Sequence, residues 1–165
     1  MSRRSHRSVD AAALRAAVQG FVHGFGLLNE AETPCGQPLH TSHAHALMIL
    51  LQAGAEGIHQ AALARQLGID KSNSSRLVRQ LAKKGHAAIS AAPDEDGRIK
   101  RVRLTASGAR LAASVEASSR RRFAELLADI DPAHRQLVLD GVEHLTRALE
   151  RSGQRSNSKE GNEHD

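Results

Sequence analysis

Residues Gln60 to Leu81 read QAALARQLGIDKSNSSRLVRQL, and the reading of this stretch decides the fold. Ala61, Leu63, Ala64 and Leu67 give a first helix one apolar side, and Gly68 lets the chain turn away from it through a left-handed residue. Asp70 is placed to cap a second helix. The apolar side of that helix is Leu77, Val78 and Leu81, while Lys71, Asn73, Arg76, Arg79 and Lys83 stay on its polar side. Ala64 stands four residues before the turn Gly68 and Leu77 nine after it, the spacing of a helix-turn-helix whose second helix meets DNA. An ordinary helical hairpin with a solvated basic side shares that spacing, so the residues beyond Gly85 decide between the two.

After Gly85 comes HAAISAAPDEDGRIKRVRLTASG, where the periodicity changes from helix to strand. His86 to Ser90 reads as one strand, Pro93 to Gly97 as a charged tip, and Ile99 to Leu104 as the returning strand. In the return, Val102 and Leu104 face one way and Arg101 and Arg103 the other, as in a half-buried strand. A hairpin directly after a recognition helix is a wing. Asp94, Glu95 and Asp96 repel phosphate, so the tip makes sense if Asp96 orients Arg98 for a narrow, electronegative minor groove.

With these pieces in order, the chain resembles the MarR family of transcriptional regulators. The resemblance rests on ALARQLGIDKSNSSRLVRQLAKKGH, on Asp96-Gly97-Arg98 in the wing, and on LTASGARL at the start of a long helix, and it covers Gln60 to Leu111. It implies a mainly α fold with a small β-wing, a winged helix-turn-helix flanked by N- and C-terminal dimerisation helices, and a homodimer. The candidate DNA-binding residues are Lys71, Ser72, Asn73, Ser75, Arg76, Arg79, Lys83, Asp96, Arg98 and Lys100. Ser74 departs from the family, which usually has an apolar residue there. A hydroxyl on that buried side must find a carbonyl or water, or cost about 1–3 kcal/mol.

Charge is distributed to match. The 165-residue chain carries +5, but Arg65 to Arg103 alone holds ten basic and four acidic residues, leaving the rest near neutral. The excess lies on the segment expected to read DNA. With three Phe and no Tyr or Trp, a stacking platform for RNA or single strands is not expected. No Gly-rich phosphate loop, nucleophile elbow or framed carboxylate pair is present, so neither an enzyme nor a cofactor is expected. No segment approaches the ~20 apolar residues of a membrane span. The absence of an export signal and the lone Cys point to the cytoplasm.

The sequence divides into a flexible start (1–9), one domain (10–151) and a polar tail (152–165) expected to be disordered. Within the domain, 42–104 is the winged-helix lobe, and 10–30 and 105–151 are dimerisation helices. Leu14, Val18, Phe21, Phe25 and Leu28 form one seam, and Val138, Val142, Leu145 and Leu149 another. Such seams suit an intrachain core or a dimer. A pair of winged helices on a twofold axis reads a pseudo-palindromic operator, whereas a single one reads few base pairs.

Between the first helix and the reading lobe lies PCGQPLHTSHAHALMIL, with Cys35, His40, His43 and His45, and Ser42 as the expected helix cap. Cys and His together suit zinc or copper. Zinc-responsive family members resemble the chain at His45, but add ligands from their fifth helix, where Thr105 to Ile130 has no His. A thiol sensor at Cys35 is the rival reading, with Cys35, His43 and His45 as candidate sensor residues. The bland reading puts His40 and His43 at the surface and His45, hydrogen-bonded, in the core. The resemblance also implies an effector pocket between the first, second and fifth helices. The expected function is therefore a dimeric, sequence-specific duplex-DNA regulator, a repressor released by a small ligand or by a redox or metal signal. The alternatives are a low-specificity architectural DNA-binding protein and, more remotely, an enzyme using Cys35.

Overall fold

The computed structural model describes residues 10–29, 32–91 and 100–160, and divides into two compact units, 1–121 and 122–165. The helices are α1 (Ala11–Phe25), α2 (Thr41–Gln52), α3 (Gln60–Leu67), α4 (Lys71–Lys83), α5 (Ala106–Asp129) and α6 (Arg135–Glu160). The strands are β1 (Ile58–His59), β2 (Ala87–Ala91) and β3 (Lys100–Leu104), in the antiparallel order β1-β3-β2. The mainly helical winged helix-turn-helix expected from the sequence is the observed fold.

In the first unit, the core is made where α2, α3 and α4 meet the sheet. Leu47, Leu50, Leu63, Val78, Leu81 and Val102 are fully enclosed there, and Ala112 of α5 closes the cluster. The apolar run of α2 buries residues on several sides, including Ala46, Leu47, Ile49 and Leu50. By contrast α4 is strongly two-sided. It buries Ser74, Leu77, Val78 and Leu81, the spacing of one helical face, and leaves its charged residues outside. Gly68, at φ +65°, ends α3, and the Asp70 carboxylate accepts the Asn73 backbone N–H at 2.8 Å to start α4.

The sheet holds a strand the sequence did not announce. Two-residue β1 pairs Ile58 with Val102 and His59 with Arg101, too short to show any alternation. The wing strands pair Ala87 with Leu104 and Ile89 with Val102. The first runs from Ala87 rather than His86, because the backbone N–H of His86 is still bonded to the Leu81 carbonyl as α4 unwinds.

The end of the wing is locked to the end of α4. The Thr105 hydroxyl donates to the Gly85 carbonyl (2.6 Å) and accepts from the Gly108 N–H (3.0 Å), while the Thr105 N–H donates to the His86 carbonyl (3.1 Å). Thr105 thus caps α5 and ties it to the turn after α4. A Cβ on Gly108 would collide with the His86 carbonyl oxygen. The seam of α1 is open, with Leu14, Phe21 and Leu28 exposed and Val18 and Phe25 half-buried: Asp10 and Gly26 cap the helix, no residue of it is buried, and Phe21 stacks on Phe25 at 5.2 Å.

In the second unit, Asp131 caps a 3-10 turn over Pro132–His134, and Arg135 bonds the Ile130 carbonyl (3.1 Å). Val138, Val142 and Leu149 of α6 are exposed, and no described residue of this unit is buried. The backbone of α6 continues past Ser152 to Glu160, where disorder was expected. That stretch contains no Pro or β-branched residue, and its one Gly costs a helix only about 1 kcal/mol.

Gly108→Ala should destabilise the fold by about 2 kcal/mol or more, since backbone rather than a movable side chain occupies the space. Urea unfolding at fixed protein concentration tests this; an unchanged midpoint would mean that α5 can shift freely from the turn.

Candidate nucleic-acid interface

The solvent face of α4 carries most of the candidate site. Lys71, Ser72, Asn73, Arg76, Arg79 and Lys83 are exposed, and Ser75 is half-buried. The cap does more than begin the helix: besides the Asn73 N–H, Asp70 accepts from the Asn73 side-chain amide (2.5 Å). Those bonds, the backbone N–H of Asn73 first, hold the Asp70 carboxyl below its ordinary range, so it stays ionised and Asn73 stays oriented. Arg79 is likewise held, its Nε donating to the Ser75 carbonyl at 3.1 Å.

Beside α4 opens a cleft of about 750 Å³ lined by His59, Gln60, Arg65, Lys71, Ser75 and Lys100 among others, with no carboxylate in its wall among the described residues. Lys100, exposed at the start of β3, therefore joins the recognition helix at one surface. Gln60 was not foreseen. Its amide donates to the Ser75 hydroxyl at 2.8 Å, across the two helices of the motif. The only hint in sequence was a polar residue at the first position of α3. Ser74 lies behind this face, fully buried, and its hydroxyl has no hydrogen-bond partner among the described residues.

Arg101 is committed elsewhere. Its guanidinium donates to the Glu56 and Gly57 carbonyls (both 3.3 Å) and to His59 Nε2 (3.1 Å), pinning the turn before β1. Arg103 is exposed. Asp94, Glu95, Asp96 and Arg98 lie outside the described residues.

The sensor candidates are not brought together. Cys35 is half-buried with its sulfur 3.1 Å from the Thr33 hydroxyl, and that hydroxyl also accepts the Gln37 N–H. The assignment of His43 and His45 is reversed: His43 is buried (8% exposed) and His45 is exposed. The reason is helix phase, since α2 is preceded by His40 as its cap rather than Ser42, which sits inside the first turn. His43 Nε2 donates to Gln80 Oε1 of α4 (3.0 Å), while its Nδ1 is buried without a partner. Desolvation lowers the His43 pKa, the Gln80 bond opposes this, and Lys84 and His40 add to the lowering. Among the described residues no three His, Cys, Asp or Glu side chains are placed to hold a metal ion. His43 instead faces a cavity of about 270 Å³ with Gln37, Leu39, Lys84, His86 and Leu111. Its walls are α2, the end of α4 and the start of α5, without α1.

A winged helix-turn-helix with a basic recognition face is thus the class that the geometry defines. Residues 37–99 match the MarR family profile. An uncharacterised HTH-type transcriptional regulator, YdgJ of Bacillus subtilis (strain 168), is 31% identical over 99 residues, a match spanning 60% of this chain and 60% of that protein. Two solved structures share the fold. The PcaV transcriptional regulator of Streptomyces coelicolor, in complex with its natural ligand, superposes with a TM-score of 0.61 at 22% identity, over 87% of this chain and 99% of that one. FabT of Streptococcus pneumoniae, in complex with DNA, gives 0.71 at 12% identity, over 86% and 99%. The likeness to the MarR family is thus carried by residues 37–99, and the fold by most of the chain. Members of that family are transcriptional regulators and not enzymes.

Because His43 is held neutral in the fold, its contribution to stability is intact above about pH 6.5 and is lost as pH falls through its lower folded value. Thermal midpoints at pH 7.5 and 5.5 should therefore differ less for His43→Gln than for the unmodified protein. Equal differences would mean that His43 titrates as a solvated imidazole.

Proposed function

We propose that this chain is a dimeric, sequence-specific double-stranded-DNA-binding transcriptional regulator of the cytoplasm, acting as a repressor. One observation carries the reading: the exposed, cation-rich face of α4, with Asn73 and Arg79 held in place, adjoins a cleft without carboxylates among the described residues. Steric occlusion of a promoter needs no further domain. Dimerisation is supported by apolar surface left open on two helices, Leu14 and Phe21 of α1 and Val138, Val142 and Leu149 of α6, with 44–64% of each exposed. Two copies on a twofold axis present two recognition helices to successive major grooves of a pseudo-palindrome.

Release by a small molecule is favoured over a redox or metal signal. The cavity below His43 touches α4 through Leu81 and its C-terminal cap Lys84, so an occupant there acts on the recognition helix directly. PcaV is known in complex with a natural ligand, which supports an effector for this chain as well. Cys35 and the histidines share no such site among the described residues. The second reading is an architectural protein with little sequence choice. Matched and scrambled operators separate the two, since a specific regulator discriminates by about 4–10 kcal/mol.

Binding should weaken by roughly 10³-fold or more between 50 and 200 mM salt as Lys71, Arg79 and Lys83 release counterions from phosphate. Fluorescence anisotropy with duplex operator reads this, and a flat affinity would refute the electrostatic basis of the proposal. Arg76, exposed in the second turn of α4, should cost about 1–3 kcal/mol as Arg76→Ala and relax the preference at one base pair. Lys83→Ala, at the far end of the helix, should weaken all sequences alike. Identical profiles for the two variants would place α4 outside the groove.

A further inference from the structure

We propose that Gln60 is a specificity-positioning residue, which biases Ser75 toward hydrogen-bond donation and so toward one kind of base edge. The inference rests on the DNA-binding reading above and deepens it. A serine hydroxyl has one proton and two lone pairs, and for that reason serine ordinarily reads donor and acceptor edges alike. Here the choice is narrowed. Gln60 Nε2 donates to Ser75 Oγ at 2.8 Å from the first residue of α3, and Gln60 reaches no other side-chain partner among the described residues. With one lone pair of Oγ engaged, the second shares the cleft with the ammonium donors Lys71 and Lys100, so the Ser75 proton is the group most available to DNA.

The backbone of Ser75 is equally constrained, because its carbonyl accepts Arg79 Nε one turn on. Asn73 is treated in the same manner: Asp70 takes one of its amide protons, leaving its carbonyl oxygen and its second proton for DNA. The recognition helix therefore presents groups whose donor and acceptor roles are set by neighbours that need not touch a base. Ser75 acts mainly as a donor. It meets purine N7, guanine O6 or thymine O4, and it disfavours the amino groups of adenine N6 and cytosine N4.

The test exchanges the sense of one hydrogen bond. In Gln60→Glu the carboxylate can only accept, so it takes the Ser75 proton and turns the free lone pairs of Oγ toward DNA. Base preferences are measured by selection from a randomised duplex library, followed by anisotropy titrations on single-base variants of the selected operator. The unmodified protein should prefer an acceptor edge at one base pair per half-site. Gln60→Glu should shift that position alone by roughly tenfold toward adenine N6 or cytosine N4. Its added charge lowers affinity for every sequence, but the ratios between sequences are unaffected by it. Gln60→Ala should flatten the same position, and in a Ser75→Ala background neither Gln60 variant should alter preference further.

Ratios between sequences do not depend on the fraction of protein folded, so a partly unstable variant still gives a reading. If Gln60→Glu and Gln60→Ala weaken all sequences alike with the profile unchanged, Gln60 only anchors a phosphate or braces the helices, and the inference is overturned. If the unmodified protein itself shows no base preference, the sequence-specific reading of the protein falls, and this inference with it.

Discussion

The close approach of α5 to the turn after α4 is the constraint on which the rest of the lobe depends. One threonine hydroxyl, from Thr105, satisfies the Gly85 carbonyl on one side and the Gly108 N–H on the other, and its backbone N–H takes the His86 carbonyl. Only a residue without a side chain fits at 108, because the helix backbone lies against the His86 peptide. The lock joins the last turn of α4, the foot of the wing and the first turn of α5 within a few residues. Since β2 leaves from this point and β3 returns to it, the wing and the recognition helix are held as one piece. The sequence motif LTASG is the chemical form of that lock.

The winged helix was legible because each of its boundaries is a local event. Gly68 at positive φ, Asp70 at a cap and the four-residue buried stripe of α4 are all set by neighbours within a turn. Ser74 was legible as the odd member of that stripe. Features that depend on distant parts of the chain were not. The exchange of His43 and His45 follows from where α2 begins, and α2 is apolar on so many sides that periodicity does not fix its phase. Strand β1 has two residues and owes its existence to β3. Arg101 alternates correctly along β3, yet its guanidinium is held by the carbonyls of Glu56 and Gly57, more than forty residues earlier. The Gln60–Ser75 bond was hidden for the same reason, since nothing in a helix-start glutamine says which side chain it will reach.

The two compact units also differ in how they satisfy their apolar residues. In residues 1–121 the buried cluster is dense, and α1 contributes nothing to it. In residues 122–165 no described residue is buried, although α6 carries valines and leucines at the spacing of a packed seam. Both helices therefore have the composition of core elements without burying a residue in their own unit. A sequence pattern identifies such a face but not its partner, and that is the physical limit on reading assembly from one chain.

The buried hydroxyl of Ser74 has a consequence for motion. Water would solvate it if α4 lifted from the core, and the folded state offers no equivalent bond among the described residues. In α2 the Thr41 hydroxyl and His43 Nδ1 are buried without a partner in the same way. Opening of either helix therefore recovers solvation energy that separation of purely apolar faces would not, which lowers the free energy of local opening. The helix that faces outward as a reader thus keeps, on its inward side, a group that favours its loosening from the scaffold.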